Sequence, residues 1–346
     1  MKKSKKVDFV FFVHPRSAKD IIKQYPILRF LPEKFVEYLI SLIPYIILEK
    51  TKPISKNGFV VAIPMTARLM LKDKNRAKRK ILRAIKSLNK KYGIKYFGLG
   101  ALTSSVSSGG EDFVKDEFVK NNEIYLTNGN ALTALASFDA LCKIMQEQED
   151  RIRTIAVLGA TGSIGSALSK MIAKEFDIDE LIILGRTKSN LDALFELLQD
   201  EKPDKLKVKI STNIDELHNA DLSTIATSAQ SAIVEFEHIK DGAIVYDITQ
   251  PRNISKDVAK RLKEEKSAMV YSGGLVYNPN TEKRARFQNF LPDNSQFACF
   301  TETALVAEEN IKKHFCIGKV QDKHMEHVKI LAQKHKIKTN LLFDFV

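Results

Sequence analysis

Residues 152 to 165 read IRTIAVLGATGSIG, an apolar run closed by Gly159, Gly162 and Gly165. Few backbone arrangements require three glycines at this spacing directly after a buried strand. In a strand–turn–helix that cradles a dinucleotide, one glycine permits the bend and one lets the backbone approach a pyrophosphate. The third lets the helix pack closely on the strand. The helix N-terminus then offers N–H groups and a positive dipole end to the phosphates. A glycine triplet alone is a weak signal, and here its surroundings strengthen it. Ile155, Ala156, Val157 and Leu158 supply the strand, and SALSKMIAKEF follows with helical spacing at Ala167, Leu168, Met171 and Ile172. A second apolar strand, Leu181 to Leu184, completes a βαβ unit. The turn residues Gly159, Thr161, Gly162, Ser163, Ile164 and Gly165 form the candidate cofactor-binding set.

The second strand runs into Gly185, Arg186, Thr187 and Lys188. An acidic residue about 20 positions after the glycine turn would bind a ribose 2′-hydroxyl and favour NAD. This chain places Arg186 and Lys188 there instead. A guanidinium grips a 2′-phosphate through two parallel hydrogen bonds, whereas a carboxylate repels it. NADPH is the expected cofactor, with Arg186 and Thr187 beside its 2′-phosphate. The plain alternative is that Arg186 is a solvated loop cation.

Beyond this point helix-like and strand-like segments continue to alternate. A helix from about Ser189 to Gln199 precedes KLKVKIS, followed by strand-like ADLSTIATS, GAIVYDITQ and AMVYSGGLV. That order predicts an α/β, doubly wound parallel (Rossmann) sheet whose ligands bind at the carboxyl ends of its strands. Thr227, Ser228, Thr249, Gly273 and Gly274 fall on that edge, and Ser228, Gly273 and Gly274 join the cofactor set. The expected division is an N-terminal α/β substrate domain over 1–148 and the nucleotide domain over 149–278. A C-terminal helical segment over 279–346 would return to the first domain. The joint is placed at the polar stretch Gln146 to Arg153.

At 346 residues, 44% hydrophobic and 28% charged, the chain has the composition of a globular protein. Cys142, Cys299 and Cys316 show no paired spacing for disulfides or zinc, which predicts a reducing, cytoplasmic setting. The start MKKSKKVDFVFFV is basic and then apolar but carries no small-residue cleavage pattern. Tyr38 to Leu48, YLISLIPYIIL, is strongly apolar yet far shorter than the roughly 20 residues that cross a bilayer, and Pro44 would end a helix there. A buried helix pair or turn is the first reading; peripheral membrane contact or an acyl-pocket wall is the second. Lys72 to Lys91 carries ten Lys or Arg in 20 residues of a chain with net charge +13. Ala77, Ile81, Ala84, Ile85 and Leu88 recur at helical spacing, so this is an amphipathic helix with a cationic face. No nucleic-acid motif or aromatic stacking pattern accompanies the charge, so nucleic acid is not the expected partner. An acidic carrier protein, an anionic membrane and plain solvation remain as readings.

Cys299 precedes a helix-like segment from Thr301, with Ala304, Leu305, Ala307 and Ile311 inward. A helix N-terminus stabilises a thiolate, lowers its pKa and makes it a nucleophile toward thioesters. A small buried apolar cysteine is the competing reading. The chain resembles the long-chain fatty acyl–acyl carrier protein reductases of cyanobacteria in FACFTET and VLGATGSIGSAL, and in GALTSS, TNGN, ATS and SGG, which follow one another in the same order as in that family. His14, in FFVHPRS, falls where that family also carries a histidine. The resemblance implies an acyl thioester, on acyl carrier protein or CoA, attacked by catalytic Cys299 and reduced by NADPH to a long-chain aldehyde. It also implies that Gly100 to Ser105, with Gly100, Thr103 and Ser104, shapes the acyl pocket, and that Ser228 and Gly273–Gly274 lie near the nicotinamide. Thr103 and Ser104 read equally well as local backbone caps. Glu302 either tunes the cysteine or is an ordinary first-turn helix charge. Two other functions compete: an NADP-dependent amino-acid or shikimate-type dehydrogenase, and a non-catalytic NADPH-binding interaction protein.

Overall fold

A computed structural model describes residues 6–200, 202–229 and 231–343; most of the basic start MKKSKK lies outside them. Two compact units divide the chain: Met1–Gly129 with Asn278–Gly318 and Ile330–Lys336, and Asn130–Tyr277 with Lys319–Lys329 and Ile337–Val346.

The first unit is built on a five-stranded sheet in the order Ile46–Thr51, Gly58–Ala62, Phe9–Val13, Tyr96–Leu99, Tyr125–Thr127. The last four run parallel and the first is antiparallel to its neighbour. Phe9–Val13 (FVFFV) is apolar at every position because both faces are covered, as parallel sheets require. On one face lies the cationic helix, Lys74–Tyr92, capped by the Asp73 carboxylate (2.8 Å from the Arg76 amide) and ended by Gly93 at φ +67°. Its predicted inward residues Ala77, Ile81, Ala84, Ile85 and Leu88 are all buried, in one core with Val10, Phe12 and Phe97. The helix Ala298–Glu308 packs against Phe9–Val13 and Tyr96–Leu99. Its Phe300 ring meets Phe9 and Phe11 edge-on at centroid distances of 6.2 and 5.4 Å. The glycine of Tyr96–Leu99 makes this close approach feasible: a Cβ on Gly98 would fall 2.0 Å from Thr303 Oγ1.

In the second unit the six parallel strands stand in the order Lys207–Ser211, Glu180–Leu184, Thr154–Leu158, Leu222–Ile225, Ile244–Asp247, Met269–Ser272, with a short antiparallel strand, Leu342–Phe343, at the far edge. Numbered along the chain, the parallel strands read 3-2-1-4-5-6, the doubly wound arrangement whose order reverses beside the glycine-turn strand. The α/β fold expected from the sequence is the observed one. Among the described residues, only short 3-10 turns, Ile214–Asn219 and Phe236–His238, stand where helices would flank the fourth strand.

Several details depart from the sequence reading. The first unit ends at residue 129, not 148, because the whole helix Asn130–Gln148 buries Ala140, Leu141 and Ile144 in the core of the glycine-turn strand and its helix. For the same reason the expected joint at 146–153 is mostly helix. The C-terminal segment is shared between the units instead of belonging to the first. Finally, Tyr96–Leu99 is followed by a series of short helical turns from Leu102, and the helix carrying Cys299 ends at Glu308, before Ile311.

Candidate functional site

The carboxyl ends of the second unit's parallel strands gather the predicted cofactor residues. Gly159 leaves the first strand at φ +87°, where any side chain is strained. A Cβ there would stand 2.7 Å from the Ala226 carbonyl oxygen, and one on Gly165 only 2.2 Å from the Gly159 oxygen. Gly162, the N-cap of the helix Ser163–Glu175, has an ordinary φ of −71°. Its missing Cβ faces only the Gly159 and Ala226 oxygens, at 3.2 and 3.8 Å. Bend, close packing and clearance are thus divided among three glycines, and the turn forms the cradle that a pyrophosphate fits. Thr161 sits beside Gly185 at the end of the second strand. Ile164 packs on the core, and Ser163 Oγ accepts the Val320 amide at 3.1 Å.

Arg186 and Thr187 follow the second strand and are exposed. No hydrogen bond or ion pair engages Arg186 among the described residues, whereas Lys188 pairs with Asp192 at 3.2 Å. Ser228 is exposed past the fourth strand. Gly273 and Gly274 follow the sixth: a Cβ on Gly273 would lie 2.6 Å from the Tyr246 ring, and Gly274 has φ +69°. The same edge holds a buried network absent from the sequence reading. The Asp247 carboxylate accepts the amides of Thr249 (2.8 Å) and Asn253 (2.9 Å) and the Thr249 hydroxyl (2.5 Å). Asn253 in turn pairs with Thr227. Burial pushes the Asp247 carboxyl up, against the Arg252 charge and these hydrogen bonds. An Asp closing a buried apolar strand, followed by Ile-Thr-Gln-Pro, was the available signal.

In the first unit, Cys299 occupies the first turn of Ala298–Glu308, just past the carboxyl end of Tyr125–Thr127. Gly129, at φ +76°, presses against it: a Cβ there would be 2.3 Å from the Cys299 Cβ. Glu302, one turn on, is fully buried and accepts the Thr127 hydroxyl. Cys299 keeps part of its surface accessible. Even so, burial and then the Glu302 charge push its thiol up to about 12. The lowered pKa expected from the helix N-terminus is therefore not found. Desolvation together with an adjacent carboxylate outweighs a dipole effect of about 0.3–2 kcal/mol. Iodoacetamide should accordingly alkylate Cys299 about tenfold faster for each pH unit gained, with no plateau below roughly pH 10. Glu302→Gln, which keeps a partner for Thr127, should lower the thiol pKa and speed alkylation at every pH in that window. A plateau near the ordinary thiol range, or an unchanged rate in the variant, would show that Glu302 does not act on the sulfur.

The pocket-loop residues are turned inward. Thr103 donates to the Gly100 carbonyl at 2.7 Å and is fully buried, as is most of Ser104. Gly100 is required by packing, since its Cβ would fall 2.4 Å from the Phe12 oxygen. Thr103 thus takes the backbone-capping reading. His14 Nε2 accepts the Leu102 amide at 3.4 Å, so Nδ1 carries the proton and donates to the Pro15 carbonyl at 3.0 Å. Burial lowers its pKa, and the neutral ring orients the 100–105 loop. Among the described residues, Cys142, Cys299 and Cys316 form no disulfide. Among the described residues no cluster of His, Cys, Asp or Glu could hold a metal ion. Nor is any described helix long and apolar enough to cross a membrane.

The family model for shikimate / quinate 5-dehydrogenase matches residues 142–269. The long-chain acyl-[acyl-carrier-protein] reductase of Synechococcus elongatus is 26% identical over 262 residues, covering 71% of this chain and 70% of its own. The solved L-tryptophan dehydrogenase of Nostoc punctiforme is 12% identical with a TM-score of 0.42, over 95% of this chain and 80% of its own. Shikimate 5-dehydrogenase of Listeria monocytogenes, in complex with shikimate and NAD, is 10% identical with a TM-score of 0.36, over 79% of this chain and 88% of its own. Further solved structures match over less than half of their own length. The chain is a dehydrogenase-like oxidoreductase, similar over most of its length to a cyanobacterial long-chain acyl–acyl carrier protein reductase.

Proposed function

We propose that the chain reduces a long-chain fatty acyl thioester, carried on acyl carrier protein or CoA, to the fatty aldehyde with NADPH, through an acyl group held on Cys299. The observation that carries this reading is Cys299 itself: a partly accessible thiol in a helix first turn, fixed between Gly129 and the buried Glu302. The sulfur forms a bond to the thioester carbonyl carbon as its proton passes to the departing carrier thiol, whose own carbon–sulfur bond breaks. A high-pKa sulfur is an intrinsically strong nucleophile once deprotonated. Transfer to the acyl group also removes the charge conflict with Glu302, because a thioester is neutral. NADPH, when bound, supplies the hydride that reduces the acyl group to the aldehyde. The chain then recovers Cys299 as its sulfur leaves.

The glycine turn would hold the pyrophosphate, and Arg186 and Thr187 the 2′-phosphate. Ser228, Gly273 and Gly274 would border the nicotinamide, with Gly100 and its loop shaping the acyl pocket through backbone. Arg186→Ala should weaken NADPH about ten- to a hundredfold and NADH hardly at all, since only the former has the charge-assisted pair to lose. Equal losses in a fluorescence titration would return Arg186 to a solvated loop cation. For the reaction, pure protein is incubated with palmitoyl thioester without NADPH and weighed intact. The expected result is one acyl adduct, on Cys299, released by hydroxylamine. Absence of an adduct overturns the reading and favours the dehydrogenase alternative that the 142–269 match supports.

A further inference from the structure

The helix Glu33–Leu42 is apolar on two faces, yet only one is covered. Val36 and Ile40 pack inward with Ile21. Phe35, Tyr38 and Leu42, spaced i, i+3, i+7, are 46, 56 and 60% exposed. The turn before it, Pro26–Phe30, buries none of its residues, and Ile27 and Phe30 are 76 and 72% exposed. Most of the exposed large apolar side chains among the described residues fall between residues 25 and 71, the others being scattered. Soluble surfaces show such residues singly; a contiguous set marks a surface built to be covered.

Charge identifies what covers it. The Arg29 guanidinium lies 4.7 Å over the Phe30 ring, and Lys23 and Lys34 are exposed alongside, with Asp20 and Glu33 the exposed acids. The cationic helix is fastened to the same segment. Arg76 donates to Ser41 Oγ at 2.8 Å, and Lys80 to the Ser41 carbonyl at 2.6 Å. An open cleft of about 450 Å³ beside exposed Leu71 is lined by Lys72, Lys74 and Lys78 and by Asp73 and Asp112, the last paired with Lys78 at 3.3 Å. A second copy of a chain with net charge +13 would meet like charge on this face. Ten helical residues are far too few to span a bilayer, so the geometry is that of an element lying on one.

We propose that the segment Pro26–Leu42, with Leu71, seats this chain on an anionic bilayer surface, its aromatic and aliphatic side chains in the interface and the flanking Lys and Arg on lipid phosphates. This inference does not rest on the acyl-thioester reading. The test is flotation of the full chain with phosphatidylcholine vesicles, with and without phosphatidylglycerol. Wild type should float with the phosphatidylglycerol vesicles and be released by salt. Ile27→Ser/Phe30→Ser/Tyr38→Ser/Leu42→Ser, all exposed positions, should keep the melting temperature and lose binding about tenfold or more. Lys72→Glu/Lys74→Glu should lose the phosphatidylglycerol dependence. No flotation of wild type with either lipid overturns the proposal. So does flotation of the serine variant at the wild-type level. A third overturning result is loss of affinity for an acidic carrier protein in the serine variant, with no vesicle binding by wild type.

Discussion

Cys299→Ser is expected to lose acyl-thioester reduction by about three orders of magnitude or more, with NADPH binding and folding intact. A serine hydroxyl is a far weaker acid than even a thiol raised to about 12, and as an oxygen nucleophile it reacts poorly with thioesters. The replacement is nearly isosteric, which matters because Gly129 leaves no room for anything larger. The residues proposed for NADPH all belong to the second unit, so cofactor affinity reports on the integrity of that unit. Three measurements on one variant decide the matter: turnover, NADPH affinity and the acyl adduct. Turnover and adduct lost together, with affinity unchanged, is the expected pattern. Full turnover would remove Cys299 from the chemistry and favour a dehydrogenase that works by proton transfer alone.

Local features of the fold were legible because local rules agreed with the global outcome. The period of Ala77, Ile81, Ala84, Ile85 and Leu88 gave the buried face of the cationic helix, and that face is the buried one. Apolar runs gave the inner parallel strands, which are covered on both sides, whereas the edge strand Lys207–Ser211 alternates Lys with Val and Ile and buries none of its residues. What escaped was set by tertiary packing. The polar stretch around Gln146 looked like a joint, but the helix ahead of it is held by Ala140, Leu141 and Ile144, whose partners lie across the glycine turn. The thiol was misjudged for a similar reason. The helix first turn is visible in sequence, whereas the burial of Glu302 beneath Cys299 depends on Thr127, 175 residues away in the chain. Thr103 and Ser104 read equally as pocket hydroxyls and as backbone caps, and the bond from Thr103 to the Gly100 carbonyl takes the capping side for Thr103.

Gly165→Ala is expected to cost the nucleotide unit about 3 kcal/mol or more and to weaken NADPH about a hundredfold. An added methyl would sit 2.2 Å from the Gly159 oxygen and 2.9 Å from its carbonyl carbon, both backbone atoms that cannot swing aside. Relief requires the helix Ser163–Glu175 to lift from the strand Thr154–Leu158. That movement uncovers Leu168 and Ile172, which are fully buried. It also displaces the helix N-terminus from the cradle formed by Gly159. Stability and affinity should therefore fall together. Gly162→Ala separates the two: with φ −71° and its nearest neighbour at 3.2 Å, alanine fits after a small adjustment. Its melting temperature should stay close to wild type, while NADPH affinity falls if this glycine gives the clearance for the pyrophosphate. A Gly165→Ala protein that melts and binds like wild type would refute the close-packing role. A Gly162→Ala protein with unchanged affinity would move the phosphate contact elsewhere on the turn.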